Sequence, residues 1–146
     1  MSKSNTFENE LLLHLFNNSA IANVGDAVGV RGSTAAGGLF LSLHTADPGE
    51  AGTASTSEIA YTGYARQAVA RSAAGFVVSG ASVTLATNVD FPEMTAGAGG
   101  NVTFFSVVKE VSGTSVILYS GAVSPTIAVA NGVTPRLKAA TSITED

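Results

Sequence analysis

The hydrophobic residues near the start of the chain recur with the period of a helix. Phe7, Leu11 and Leu15 are spaced by four residues, and Leu12 and Phe16 repeat that spacing one position later. A row of this kind lies on one face of an α-helix. We therefore predict a short amphipathic helix in this part of the chain.

The predicted helix has recognisable ends. Asn5 followed by Glu8 resembles a capping box, in which the two side chains bond free backbone amides of the first turn. The polar run NNS at residues 17–19 ends the apolar period. A helix of about three turns is marginal alone in water, so its apolar row must dock either on its own domain or on a neighbouring subunit.

A glycine-rich segment follows the helix. Residues 20–38 contain five glycines and show no sustained apolar period. Glycine clusters of this kind interrupt regular structure, and we predict an extended arm here. The chain is therefore expected to consist of an N-terminal helix and arm, residues 1–38, and a β domain, residues 39–146.

The period changes to that of a β-strand at Leu39, where Leu39, Leu41 and Leu43 alternate with other side chains. Further β-rich runs occupy residues 61–70, 76–78, 81–89, 102–108, 116–123, 126–130 and 137–144. Asn131-Gly132 is the dipeptide most typical of a tight hairpin turn. About eight short strands separated by turn signals predict a mainly β fold, an antiparallel sandwich or jelly roll.

The composition has few charges. Charged residues make up 12% of the chain and hydrophobic residues 45%, with a mean hydropathy of +0.32. An ordinary globular domain has roughly 25% charged residues. No stretch approaches the ~20 apolar residues that span a bilayer, and the first residues lack the layout of a signal peptide. Such a chain is expected to bury apolar surface against partners, as subunits of large assemblies do.

The charge and the cysteine count exclude other classes of partner and site. Seven Lys and Arg stand against eleven Asp and Glu, a net charge of −4, without a run of either sign. Binding of DNA or RNA requires a basic stripe, so we predict no nucleic-acid partner, and likewise no membrane partner. The absence of cysteine excludes disulfides and thiolate metal sites.

Candidate chemistry is sparse. Ser42, His44 and Asp47 could be imagined as a hydrolase triad, but no nucleophile-elbow motif accompanies them, and His44 is better interpreted as an ordinary strand-end residue. Asp47 and Glu50 could hold Ca²⁺, although a turn with Pro48 at its second position explains them better. The glycine-rich residues 95–100 lack the Gly-Lys-Ser/Thr of a phosphate loop. We predict no catalytic residue, no metal site, no cofactor and no enzyme activity.

Several segments resemble a known family. They are LSLHTADPGEAGT at residues 41–53, EIAYTGYARQAV at 58–69, NVDFP at 88–92, NVTFFSVV at 101–108 and ILYSGAVSPTIAVANGV at 117–133. Together they are similar to small structural proteins of tailed-phage particles, which often carry the label tail fibre protein. Some members resemble the cement or decoration proteins that coat phage heads. The resemblance covers residues 39–137 and implies a virion structural protein with a jelly-roll-like β domain.

Two positions in the particle remain open. A receptor-binding fibre usually has a repeated shaft plus a tip, which 146 residues without a repeat cannot supply, so the layout of helix, arm and β domain favours a head cement protein. We expect it on the phage head surface, after synthesis in the host bacterial cytoplasm, with the major capsid protein and copies of itself (a dimer or trimer) as partners. The alternative is a tail or tail-fibre component that contacts the host surface, for which a shortage of aromatic residues is mildly unfavourable.

Five residues are candidates for the interface of such a protein. The helix row supplies Phe7, Leu11, Leu15 and Phe16, which could equally pack on the β domain of the same chain. Arg66, in the run Tyr-Ala-Arg-Gln that marks the family resemblance, is the candidate for an interface ion pair. A solvated strand position is the other interpretation of Arg66.

Overall fold

The computed structural model describes residues 2–145, in one helix and nine strands. These elements are α1 Asn5–Asn17, β1 Gly38–His44, β2 Gln67–Ala70, β3 Phe76–Ser79, β4 Ser82–Leu85, β5 Val89–Asp90, β6 Gly100–Val108, β7 Ile117–Val129, β8 Arg136–Leu137 and β9 Ser142–Thr144. The strands form sheets of order β2-β1-β6-β7, β3-β4-β9 and β5-β8. The prediction of a mainly β chain with antiparallel sheets and one short N-terminal helix is confirmed.

The chain divides into two compact units, each built from separate stretches of sequence. Unit 1 contains residues 1–38, 69–87 and 139–146, and unit 2 contains residues 39–68 and 88–138. The helix thus shares a unit with the β3-β4-β9 sheet. The predicted division into domains at residue 38 stays a prediction.

In unit 1, α1 forms where the sequence pattern places it, with its N-terminal cap one residue earlier than predicted. Ser4, and not Asn5, is the cap, and its Oγ accepts from the amide of Phe7 at 3.3 Å. Both residue types are good caps, and the extended backbone of Ser4 settles which one is used. The helix ends at Asn18, whose φ of 58° is the left-handed conformation that closes many helices.

The buried face of α1 consists of Glu8, Leu12 and Phe16, spaced by one turn each. Phe16 is fully buried and meets Phe76 of β3 edge to face, with ring centroids 4.9 Å apart. An aromatic pair in this geometry contributes about 0.5–1.5 kcal/mol beyond the area it buries. The helix is therefore held by tertiary packing, as its short length requires.

The glycine-rich segment after α1 folds back on itself. Ile21 and Val30 exchange two backbone hydrogen bonds of 2.8 and 2.9 Å, and the carboxylate of Asp26 accepts from the amides of Val28 and Gly29. Gly29 has φ 68°, and a Cβ there would lie 1.9 Å from a backbone oxygen, so only glycine fits. This part of the predicted arm is a closed loop.

Arg71 fastens this loop to the helix within unit 1. Its guanidinium donates to the carbonyls of Leu15 (2.6 Å) and His14 at the C-terminus of α1. It also donates to Asn18 Oδ1 at 2.8 Å and to Ser33 Oγ at 2.9 Å. A cation at this end of a helix meets free carbonyls and the negative end of the helix dipole.

In unit 2, β6 lies between β1 and β7 and pairs antiparallel with both. The core of the unit contains Leu41, Leu43, Phe91, Val102 and Val107, each at most 1% exposed. The long strand β7 is an edge strand, and its pairing with β6 is interrupted twice, between Val102 and Phe104 and between Val107 and Val108. Side chains on both faces of β1 and β6 are therefore buried in unit 2.

The Asn131-Gly132 pair forms a turn, but the predicted hairpin is wrong. Val133 donates to the carbonyl of Ala130 at 2.9 Å, which closes a tight turn. The strands on either side do not pair with each other, since β7 pairs with β6 and β8 pairs with β5. The dipeptide specifies local backbone geometry, whereas the choice of strand partner is a tertiary matter.

Candidate functional site

A sealed polar cluster surrounds His44 in unit 2. The ring Nδ1 lies 2.8 Å from the carbonyl oxygen of Thr56, and Nε2 lies 3.0 Å from Ser42 Oγ and 2.8 Å from Ser106 Oγ. The two serine oxygens are 2.6 Å apart, because Ser42 and Ser106 are directly opposite in the pairing of β1 with β6. A carbonyl can only accept, so Nδ1 carries a hydrogen and the neutral Nε2 accepts from a serine.

The cluster has the atoms of a hydrolase site without its access. Ser42, His44 and Ser106 are all 0% exposed, so no substrate reaches the hydroxyls. Asp47 takes no part, since its carboxylate accepts from the amide of Gly49 at 2.9 Å. Burial lowers the pKa of His44, which keeps the ring neutral. The interpretation of His44 as a strand-end residue thus gains a physical role, since the cluster satisfies polar groups inside the core.

A buried ion pair joins Arg66 to Glu58. The guanidinium Nε and Nη2 donate to the two carboxylate oxygens at 2.7 Å each, in the bidentate geometry that suits these groups. Nη1 and Nη2 also donate to the carbonyls of Glu110 (3.1 Å) and Gly113 (2.7 Å). The hydrogen bonds to Glu58 raise the pKa of Arg66, so the pair stays charged. The side chain of Arg66 is 3% exposed.

Tyr64 extends this network towards β1. Its hydroxyl donates to Glu58 at 3.0 Å and accepts from the amide of Leu43 at 3.0 Å, while its ring stacks on Phe91. Burial raises the pKa of Tyr64 and holds the hydroxyl protonated. The run Tyr-Ala-Arg-Gln therefore supplies two side chains to one network. The sequence drew attention to Arg66 but contained no signal that Glu58 is its partner.

The predicted interface residues occupy different environments. Phe16 is buried within unit 1, Phe7 is 41% exposed, and Leu11 and Leu15 are half-buried. Arg66 has its ion-pair partner within unit 2. The exposed or half-exposed row of Phe7, Leu11 and Leu15 lies beside the buried face of α1. The role of all five residues in an interface stays a prediction.

An open groove of about 400 Å³ lies in unit 2 between the turn after β1 and the first part of β7. Its wall is lined by Asp47, Gly49, Glu50, Ile117, Leu118, Tyr119 and Ser120. The turn is firmly held, because Pro48 is buried and Gly52 donates to the carbonyl of Gly49 at 3.1 Å. The lining combines two carboxylates and other polar groups with Ile117 and Leu118, and polar groups predominate. The sequence pointed to Asp47 and Glu50 but not to their neighbours on β7.

Residues 2–145 contain neither a metal-binding cluster nor a membrane-spanning helix. Within residues 2–145, no group of three or more His, Asp or Glu side chains converges in a way that could hold a metal ion. Over the same part of the chain, no helix has both the length and the apolar character needed to cross a membrane. Every buried side-chain nitrogen and oxygen in the described residues has a hydrogen-bond partner.

Comparison with known families decides between the classes of virion protein. Residues 2–144 match the family Gp80, described as podophage GP4 fiber I protein gp80. The chain belongs to this family. It is therefore a structural protein of a phage particle and not an enzyme, as the resemblance implied. No curated protein sequence matches the chain.

The family corrects the expected place in the virion. Its members are described as fibre proteins, so the prediction of a head cement protein on the capsid surface is wrong, and the alternative of a tail-fibre component is the better supported one. The partners of a fibre protein are other virion proteins, and the major capsid protein has no support as a partner. Small size and an apolar surface do not distinguish a head protein from a tail protein, because many assembly subunits share them.

Proposed function

We propose that this protein is a structural component of the tail fibre and contacts the host surface. The observation that carries the proposal is the match of residues 2–144 to a podophage fibre family. The buried His44 cluster and the Arg66–Glu58 pair support the proposal, because they cross-link unit 2 internally and leave no buried side-chain nitrogen or oxygen of the described residues without a hydrogen-bond partner. Rigid elements of this kind suit a structural protein that holds a contact surface in place and catalyses no reaction.

Attachment to the particle would use the partly exposed row on α1 formed by Phe7, Leu11 and Leu15. Phe7, Leu11 and Leu15 present apolar surface that the packing of Leu12 and Phe16 leaves uncovered. Exposed apolar surface of this kind marks sites of protein association. The partner is another virion protein or a further copy of this chain, and closed symmetry as a dimer or trimer would multiply modest contacts.

Contact with the host would use the groove beside β7. Its carboxylates, Asp47 and Glu50, are both exposed and only accept hydrogen bonds, so they suit a ligand rich in hydroxyl or ammonium donors. Ile117 and Leu118, which also line the groove, suit a ligand that has an apolar face as well. Surface saccharides of the host combine both properties.

Competition for adsorption tests the proposal. Purified protein added to host cells is expected to slow adsorption of the phage in proportion to its concentration. The double variant Asp47→Asn, Glu50→Gln should lose this effect, because it keeps side-chain volume and removes both charges. Glu93→Gln, which removes an exposed carboxylate elsewhere in unit 2, is the matched control and should compete like the unaltered protein. Unchanged adsorption at saturating protein would refute the host contact, and equal competition by all variants would refute the groove.

A further inference from the structure

The chain contains a single Asn-Gly pair, Asn131-Gly132, at an exposed turn. Asparagine followed by glycine is the combination most prone to deamidation, because no side chain hinders the next backbone nitrogen. That nitrogen forms a bond to Cγ of the asparagine as the Cγ–Nδ2 bond breaks. Its proton passes to solvent and ammonia leaves. Water then opens the resulting succinimide to aspartate or isoaspartate.

In the folded protein the attacking nitrogen, that of Gly132, is engaged in a backbone hydrogen bond. The amide of Gly132 donates to the carbonyl of Met94 at 2.8 Å, and the amide of Met94 donates to the carbonyl of Val133 at 2.9 Å. Gly132 has φ 81°, which the third position of a type II turn requires. The 2.9 Å hydrogen bond from Val133 to Ala130 closes the turn. Attack on Asn131 therefore requires that these bonds open together.

The two hydrogen bonds of Met94, with Gly132 and with Val133, are called the clamp below, and Met94 holds them from the core. Met94 is 3% exposed, so it belongs to the core of unit 2 even though the turn that it holds lies at the surface. Opening the turn frees the Gly132 amide only if the backbone of Met94 separates from it. The stability of the core is in this way linked to the chemical stability of an exposed asparagine.

We propose that Asn131 is a deamidation site whose reaction is held back by the clamp between Gly132 and Met94. Local opening admits the reaction, and the product adds one negative charge to the turn. Isoaspartate also lengthens the main chain by one carbon, so the hydrogen bonds of Ala130, Gly132 and Val133 can no longer form together. The change is irreversible without a repair enzyme and would accumulate as the protein ages.

Mass spectrometry of aged protein tests the inference. The unaltered protein is incubated at neutral pH with and without urea, and the fraction converted at residue 131 is followed by peptide mapping. Conversion is expected to be at least about tenfold slower in the folded protein, because each 1.4 kcal/mol of opening free energy corresponds to a factor of ten. Equal rates in the two states would overturn the proposal. Asn88 and Asn101, both followed by valine, serve as internal references.

Two substitutions of Met94 distinguish an effect of the clamp from an effect of folding as a whole. Met94→Ala leaves a cavity under the turn and should deamidate several-fold faster than the unaltered protein under folding conditions. Met94→Leu keeps the buried volume and should deamidate at the unaltered rate. If Met94→Ala does not fold, the dependence of the unaltered protein's rate on low concentrations of urea replaces it, and a rate that changes little until global unfolding is expected, because local opening exposes little surface. A rate that rises steeply with urea, in parallel with the unfolded fraction, or equal rates in the two Met94 variants, would count against the clamp.

Discussion

Removing the Arg66 side chain from its pair with Glu58 should destabilise unit 2 severely. In Arg66→Met the chain keeps an unbranched side chain of similar reach, so packing changes little and the carboxylate of Glu58 loses both 2.7 Å hydrogen bonds. Breaking a buried pair by removing one partner costs about 3–5 kcal/mol. The side chain of Glu58 is 16% exposed and still accepts from Tyr64, which puts the expected loss near the lower end, about 3 kcal/mol.

The loss can be measured in the right part of the molecule. All three tyrosines lie in unit 2, so tyrosine fluorescence during urea unfolding reports on that unit. A loss of about 3 kcal/mol corresponds to a decrease of roughly 10 °C in the melting temperature of a chain of this size. The double variant Arg66→Met, Glu58→Gln should recover part of the loss, because the uncompensated charge is then gone.

The chain contains a matched control. Arg136 and Asp90 form a second Arg–carboxylate pair within unit 2, with side chains 53% and 47% exposed. Water screens such a pair, so Arg136→Met should produce no measurable shift in the unfolding midpoint. A loss below about 1 kcal/mol for Arg66→Met, or equal effects of the two arginine variants, would show that burial does not determine how much these ion pairs contribute.

Three further outcomes are expected. Burial lowers the pKa of His44 below its ordinary 6.5, so the contribution of this residue to stability should be complete above pH 6.5 and should decrease below it, where the unfolded chain binds a proton that the folded ring does not bind. Urea midpoints between pH 8 and 5 measure this dependence, and it should be flatter in His44→Gln. Phe16→Ala should cost about 3–5 kcal/mol in thermal unfolding, whereas Phe7→Ala should leave stability unchanged; equal losses would contradict the assignment of buried and exposed faces. Arg71→Lys should lower stability by about 1–2 kcal/mol in the same assay, since one ammonium cannot replace the guanidinium fork that bonds the end of α1; a value near zero would show that those bonds contribute nothing.

The parts of the fold that depend on local pattern could be predicted from the sequence. The apolar period located α1, and the alternation from Leu39 located β1. Pairing at a distance could not be predicted, because nothing in a single sequence indicates that Ser106 lies beside His44 or that Glu58 binds Arg66. The Asn131-Gly132 turn shows the same limit, since its local geometry followed the sequence and its strand partners did not.

The function could be predicted only in part from the sequence, for a related reason. Low charge and exposed apolar residues indicate that a chain binds partners, but they do not say which partner, because head and tail subunits bury similar surfaces. The groove beside β7 brings Asp47 and Glu50 next to residues nearly seventy positions away, a relation that only the fold creates.

Immunogold labelling of intact virions tests whether this protein lies in the tail fibre. An antibody against this chain, with virions of a deletion mutant as the control for specificity, is expected to place gold on the tail fibres. Gold distributed over the head and absent from the tail would show that the protein is not a fibre component.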